Sequence, residues 1–273
     1  MEAATNQVPL MERIRFLAIY SSNLDEFYRV RMPTLLALNK LDHNGENAVP
    51  TEILKRINQT IFDQLQWFGE LLVTQIVPTL KRNRIYLVYN EPLPEILLQK
   101  LKNYFIHQVA GFVQTTNLSK GYKLFPENNK LYLAVTVEKS KNDNQVYIVN
   151  IPSDNISRFY SVKSQDVQHI VFLDDIVKLM LPLLFSGRCI SAYSFKITRN
   201  AELDLRDEFK GNLARKIEKK IHRRDLGLAT RFLHEPGFPT DTLNVIKNQW
   251  NLQNACIVEG GRYHNLKDLS MLP

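Results

Sequence analysis

Apolar side chains recur at helical intervals through residues 1–84, and the clearest run begins at Thr51. Leu54, Ile57, Ile61, Leu65, Phe68, Leu72 and Ile76 are spaced 3, 4, 4, 3, 4 and 4 apart, which places them on one face of a 3.6-residue helix. That helix is expected to pack antiparallel against the helices before it and to be limited by Pro78, because proline lacks the N–H that an inner turn needs. Earlier, Pro9 opens P-L-M-E-R-I-R-F-L-A-I-Y-S-S, in which Met11, Ile14, Phe16, Leu17 and Ile19 crowd one side. Proline suits a first turn, where its missing N–H has no intrahelical partner. In S-N-L-D-E-F, Asn23 fits an N-cap, Glu26 completes a capping box, and Asp25 adds negative charge to the positive helix end. A second helix is therefore expected from Asn23 through Phe27, Tyr28 and Val30 towards Leu38. Residues 43–50, H-N-G-E-N-A-V-P, read as a polar turn.

After Arg84 the texture changes. I-Y-L-V-Y (85–89) reads as a strand, and E-P-L-P-E-I-L-L-Q-K-L-K-N-Y-F-I-H-Q-V as a helix with Pro94 near its start. Strand-like runs follow at 131–138, 145–151 and 169–173, the first two joined by a polar, hairpin-like segment. Residues 174–185 predict a helix with an acidic first turn, 190–199 an alternating strand, 207–224 a basic helix, 229–235 a strand, and Thr240–Trp250 a final helix. The order predicts a helical N-terminal bundle over 1–84, then a mixed, mainly antiparallel α+β head domain over 85–273.

Composition narrows the class without choosing a function. Hydrophobic residues are 44% and charged residues 23% of the 273, as in globular proteins. No apolar run approaches the ~20 residues that span a bilayer. The N-terminus shows no secretory pattern, and Cys189 and Cys256 lack both disulfide-framework and metal spacing. These features fit a cytoplasmic protein with reduced thiols. The net charge of +7 favours polyanionic partners. Seven basic residues lie between Lys210 and Arg224, and Leu213, Ile217 and Ile221 fall on the opposite helix face. The basic side is either a solvated helix face or an anion-binding face.

A search for chemistry returns little. Neither G-x-x-x-x-G-K-[ST] nor G-x-G-x-x-G occurs, so no glycine-rich phosphate cradle is available; Gly260-Gly261 reads as a tight turn. Of His43, His107, His169, His222, His234 and His264, His264 alone has suggestive neighbours, Arg262 and Lys267, with Asp268 beyond. Lysine stands three residues after it, where H-x-K-x4-D phosphotransfer sites need two. His43 is expected to be solvated, and His107 and His169 to be packed or hydrogen-bonded. Asp174-Asp175 and Asp25-Glu26 are expected to serve helix starts rather than metals. No catalytic residue and no metal ligand is assigned.

Three stretches together resemble the polyphosphate kinases that make polyphosphate from ATP: E-R-I-R-F-L-A-I-Y-S-S-N-L-D-E-F-Y-R-V-R-M (12–32), A-Y-S-F-K-I-T-R-N-A-E-L-D-L (192–205) and G-G-R-Y-H-N-L-K-D-L (260–269). I-P-S-D-N-I-S-R-F-Y (151–160) also fits. The resemblance covers nearly the whole chain in order. It implies a four-domain enzyme that transfers the ATP terminal phosphate reversibly to polyphosphate through a phosphohistidine in two C-terminal, phospholipase-D-like domains. This chain would then be the N-terminal and head part, inactive alone.

By the same resemblance, the S-N-N-L-D-E-F motif places an asparagine beside adenine, and the matching residue is Asn23; Ser22 stands where the family often has its first asparagine. ATP is implied as substrate, Mg2+ as cofactor without ligands in this chain, and a homodimer through the head domain. No nucleic acid partner is expected, and membrane association has no support in the sequence. Family members usually begin with an E-L-S-W-L-like segment that this chain starts after, so an exposed apolar patch is expected on residues 9–32. The alternatives are a polyanion- or nucleic-acid-binding module using 210–224, or an assembly module.

Overall fold

In a computed structural model of the chain, residues 2–41, 51–119, 124–141, 143–164, 166–200 and 228–273 are described. The basic segment 210–224, with His222, and the 43–50 turn, with His43, lie outside them.

Helix α1 (Leu10–Glu26) runs without a break into a π-helical turn, Phe27–Arg31, and then α2 (Met32–Leu41). Asn23 is thus inside a helix, and the N-cap reading is corrected. Glu26 lies 3.6 Å from Arg29 rather than closing a capping box. The helix persists because Asp25 finds buried partners elsewhere in the fold. Pro9 caps α1 as expected.

The second long helix, α3 (Thr51–Leu71), also passes through a π turn, Leu72–Ile76, into α4 (Val77–Arg82). Pro78 therefore does not stop it. A proline ring clashes with the carbonyl four residues back in a regular α-turn, and the wider π turn ahead of Pro78 relieves that crowding. The predicted stripe is the packing face: Ile61, Phe68, Leu72 and Ile76 are buried. Arg13 donates to Gln75 at 2.5 Å and Tyr20 to Gln64 at 3.1 Å. Contacts that descend along α3 as they ascend α1 make the pair antiparallel, as expected. Met11, Phe16 and Ile19 are exposed on α1, supplying the apolar patch.

Beyond the Asn83–Arg84 turn, strands β1 (Ile85–Leu87), β6 (Val167–Phe172) and β5 (Phe159–Ser164) form a small sheet in that order, with β1 parallel and β5 antiparallel to β6. A six-stranded sheet runs β2 (Thr115–Asn117), β4 (Asp143–Ile151), β3 (Leu131–Ser140), β7 (Arg188–Arg199), β8 (Ala229–His234), β9 (Cys256–Glu259). All its pairs are antiparallel except β8–β9.

Central β3 is buried on both faces. Leu131, Leu133, Val135 and Val137 pack under α5 (Glu95–Tyr104) and α6 (Leu173–Leu184). Tyr132 and Ala134 join Phe195, Phe232 and Ile246 of α7 (Thr240–Gln249) on the other side. Two covered faces explain a strand that reads as nearly continuous apolar sequence.

The N-terminal helices do not build a core of their own. Ile14, Leu17, Phe68 and Leu72 share one with Leu87, Ile170 and Phe172 of the small sheet and with Tyr263 and Leu269. Farther along, Tyr28, Met32 and Ile61 pack with Cys256 and Val258 of β9. The α1–α2 rod is thereby seated on both sheets.

Candidate functional site

A groove of about 520 Å³ runs between α1 and α3. Tyr20, Leu24 and Phe27 form one wall, and Ile57 and Ile61 the other. The 3.6-residue period produces both walls, since residues three and four apart share a helix face. Asn23 is exposed at the lip, and Arg56, Thr60 and Gln64 supply the remaining polar edge. Gln64 accepts the Tyr20 hydroxyl, and burial pushes that phenol's pKa up. Nothing in the groove pairs a nucleophile with a base. Its chemistry is that of binding: an apolar slot of ligand-binding size, with an amide at its rim able to donate and accept together.

Directly behind Asn23 is a buried ionic cluster. The Lys196 ammonium (β7) donates to both Asp25 oxygens at 2.6 and 2.8 Å and to Asn265 Oδ1 at 2.6 Å. Arg231 (β8) donates to Asp25 at 2.5 Å and to Thr198 Oγ1 at 3.2 Å, and its guanidinium lies 4.3 Å from the Tyr28 ring centre. Asn265, held at φ 54, donates to the Asn129 carbonyl at 2.9 Å. Burial pushes the Asp25 carboxyl upward, but Lys196 and Arg231 outweigh it and hold the group below the usual carboxylate range. Burial lowers Lys196 to about 7 against the pull of Asp25.

Comparison with known proteins places the chain in a family. Residues 98–272 match the model of the polyphosphate kinase middle domain, and residues 1–88 that of the polyphosphate kinase N-terminal domain. The chain belongs to the polyphosphate kinase family. It is 32% identical to a polyphosphate kinase of Vibrio cholerae over 100% of its own length and 40% of that protein. It is 31% identical to one of Yersinia pestis, over 100% and 41%. The crystal structure of polyphosphate kinase from Porphyromonas gingivalis superposes with a TM-score of 0.82 at 28% identity, over 100% of this chain and 38% of that one. The chain thus spans about two fifths of the relatives it matches.

A second set of ion pairs and hydrogen bonds fastens 260–269. Arg158 donates to Asp174 at 2.9 Å and to the His264 carbonyl at 3.0 Å. Arg262 and the Tyr263 hydroxyl donate to the two oxygens of Asp175 at 2.6 and 2.7 Å. Asp174 and Asp175 do lie in the first turn of α6, as the sequence suggested, but both are buried and serve these partners. Gly260 has its own constraint: a Cβ there would come within 2.7 Å of the Leu233 side chain.

His264 is buried, with Nε2 3.2 Å from the Ser194 carbonyl, and burial lowers its pKa from 6.5 to about 3. It is a neutral structural imidazole, not a nucleophile. Between pH 6.5 and 3 the unfolded chain binds a proton here that the folded chain refuses, so stability is lost as pH falls through this window, by at most ~1.4 kcal/mol per unit. His264→Gln, which keeps a donor for Ser194, is expected to lose less thermal stability between pH 7 and pH 5 than the parent. Equal slopes would contradict this.

Among the described residues the other histidines show no shared site. His169 packs on the Tyr86 ring at 5.4 Å, and His234 Nδ1 lies 2.9 Å from the Glu235 carbonyl. His107, expected to be packed or hydrogen-bonded, is exposed, because the helix turns its Phe105 and Val109 inward instead. Among the described residues no three His, Cys, Asp or Glu cluster to hold a metal. Asp174 pairs with Arg158, and Asp175 with Arg262 and the Tyr263 hydroxyl. Among the described residues no helix is long and apolar enough to cross a membrane.

Proposed function

We propose that this chain is the nucleotide-contacting part of a polyphosphate kinase that transfers the terminal phosphate of ATP reversibly to polyphosphate. The observation that carries the reading is Asn23, exposed at the lip of the apolar α1–α3 groove. An asparagine amide complements adenine by accepting from its amino group while donating to a ring nitrogen. Tyr20, Leu24 and Phe27 offer the apolar surface that the base faces require. Removing one such amide costs ~1–3 kcal/mol. Asn23→Ala in the full-length protein is expected to raise the KM for ATP about tenfold (~1.4 kcal/mol) and to leave polyphosphate binding unchanged. An unaltered KM would sink the reading.

Its two parts are a helical part, 1–84, and a head, 85–273. The head mediates a homodimer, which sedimentation of the chain checks. With no catalytic centre assigned in its sequence, the chain alone is expected to synthesise no polyphosphate from ATP.

A further inference from the structure

The geometry points to Asp25 as a positioning residue for the base-contacting face of α1, clamped by Lys196 and Arg231 so that Asn23 is held at the groove. The inference rests on the adenine reading of Asn23.

Residues two apart on an α-helix point about 200° apart. Asp25 is accordingly buried against the large sheet while Asn23 is exposed on the groove side. Apolar packing alone fixes a helix's rotation weakly, since neighbouring ridges present similar surfaces. A buried carboxylate with three charged hydrogen bonds does not tolerate such slippage. Any roll of α1 would strand Lys196 and Arg231, both essentially without solvent, as unpaired buried cations.

The clamp also has no local alternative. Lys196 and Arg231 lie 171 and 206 residues from Asp25 along the chain, and Asn265 ties Lys196 to the 260–269 stretch. Two distant strands thus meet at one carboxylate, a third segment joins them through Lys196, and Asn23, two residues back on the helix, lines the groove. Buried polar networks that fix register rather than add stability are an attested use of such groups.

The test compares ATP with GTP in the full-length protein, because a misplaced amide loses base discrimination while a merely weaker fold does not. Asn23→Ala and Asp25→Asn are each expected to reduce the ATP-over-GTP preference in kcat/KM about tenfold. Their double variant should be no worse than the stronger single one, because a base contact that is already misplaced cannot be lost again. Asn265→Gly, which suits the positive φ and merely loosens Lys196, should reduce it about threefold and keeps the test open if Asp25→Asn fails to fold. Additive effects, or folded Asp25→Asn and Asn265→Gly proteins with intact preference, would overturn the positioning role and leave the adenine reading standing. An Asn23→Ala protein with unchanged preference would overturn both.

Discussion

Replacing Arg158 by methionine is expected to destabilise the fold by about 3–5 kcal/mol, the cost of leaving one member of a buried ion pair behind. The side chains of Arg158 and Asp174 are each 2% exposed, so water cannot replace the missing guanidinium. Asp174 then keeps its burial penalty, which already raises its pKa with Arg158 still opposing it, and loses that opposition. The His264 carbonyl loses a donor at 3.0 Å, and Asp268 loses a cation 3.6 Å away. Chemical denaturation of the single variant measures the loss, and a deficit under about 1 kcal/mol would contradict the picture. Adding Asp174→Asn should recover much of it, since a neutral pair of similar volume no longer buries a lone charge. The deficit of the single variant should also shrink as pH falls and the orphaned carboxyl takes up a proton.

Much of this fold was legible in local pattern. The stripe from Leu54 to Ile76 announces its helix because one face is buried along its length, and β3 and β4 announce themselves by apolar runs around a short polar turn. β5 and β9 escaped because F-Y-S-V-K-S and C-I-V-E are short and carry no strong alternation. They are strands because β6 and β8 offer edges to pair with, which no local window contains.

The site divides in the same way. Asn23 was singled out from its motif, and it is exposed beside an apolar slot. Its backbone role was misread, because S-N-L-D-E-F has the composition of a capping box. What keeps the helix going is the pull of Lys196 and Arg231 on Asp25, and those partners are unknowable from residues 20–30. Asp174 and Asp175 show the intermediate case: the sequence placed them in a first turn, while their arginines come from 16 and 87 residues away. One signal was available. The stretches that carry the family resemblance contain Asp25, Lys196, Arg262 and Asn265, a charged and polar set that interior packing could have been expected to gather.

Phe172→Ala is expected to cost about as much as the loss of Arg158, ~3–5 kcal/mol for an aromatic removed from a core, but to loosen a different part of the molecule. Phe172 ends β6 and is buried. Its ring stacks on Tyr263 at 4.0 Å and 17°, meets Phe159 at 5.0 Å, and lies beneath the Arg158 guanidinium at 5.8 Å. The same cluster contains Ile14 and Leu17 of α1 and Leu72 beside α3. A void at Phe172 therefore opens beneath the N-terminal helices, whereas Phe195, Phe232 and Ile246 under α7 belong to a separate cluster. Stability is distributed in such units rather than uniformly. Hydrogen exchange should consequently show lost protection in α1 and in β6 of the variant, with the amides of α7 and β8 little changed. Equal loss in all four would mean that the two clusters open together.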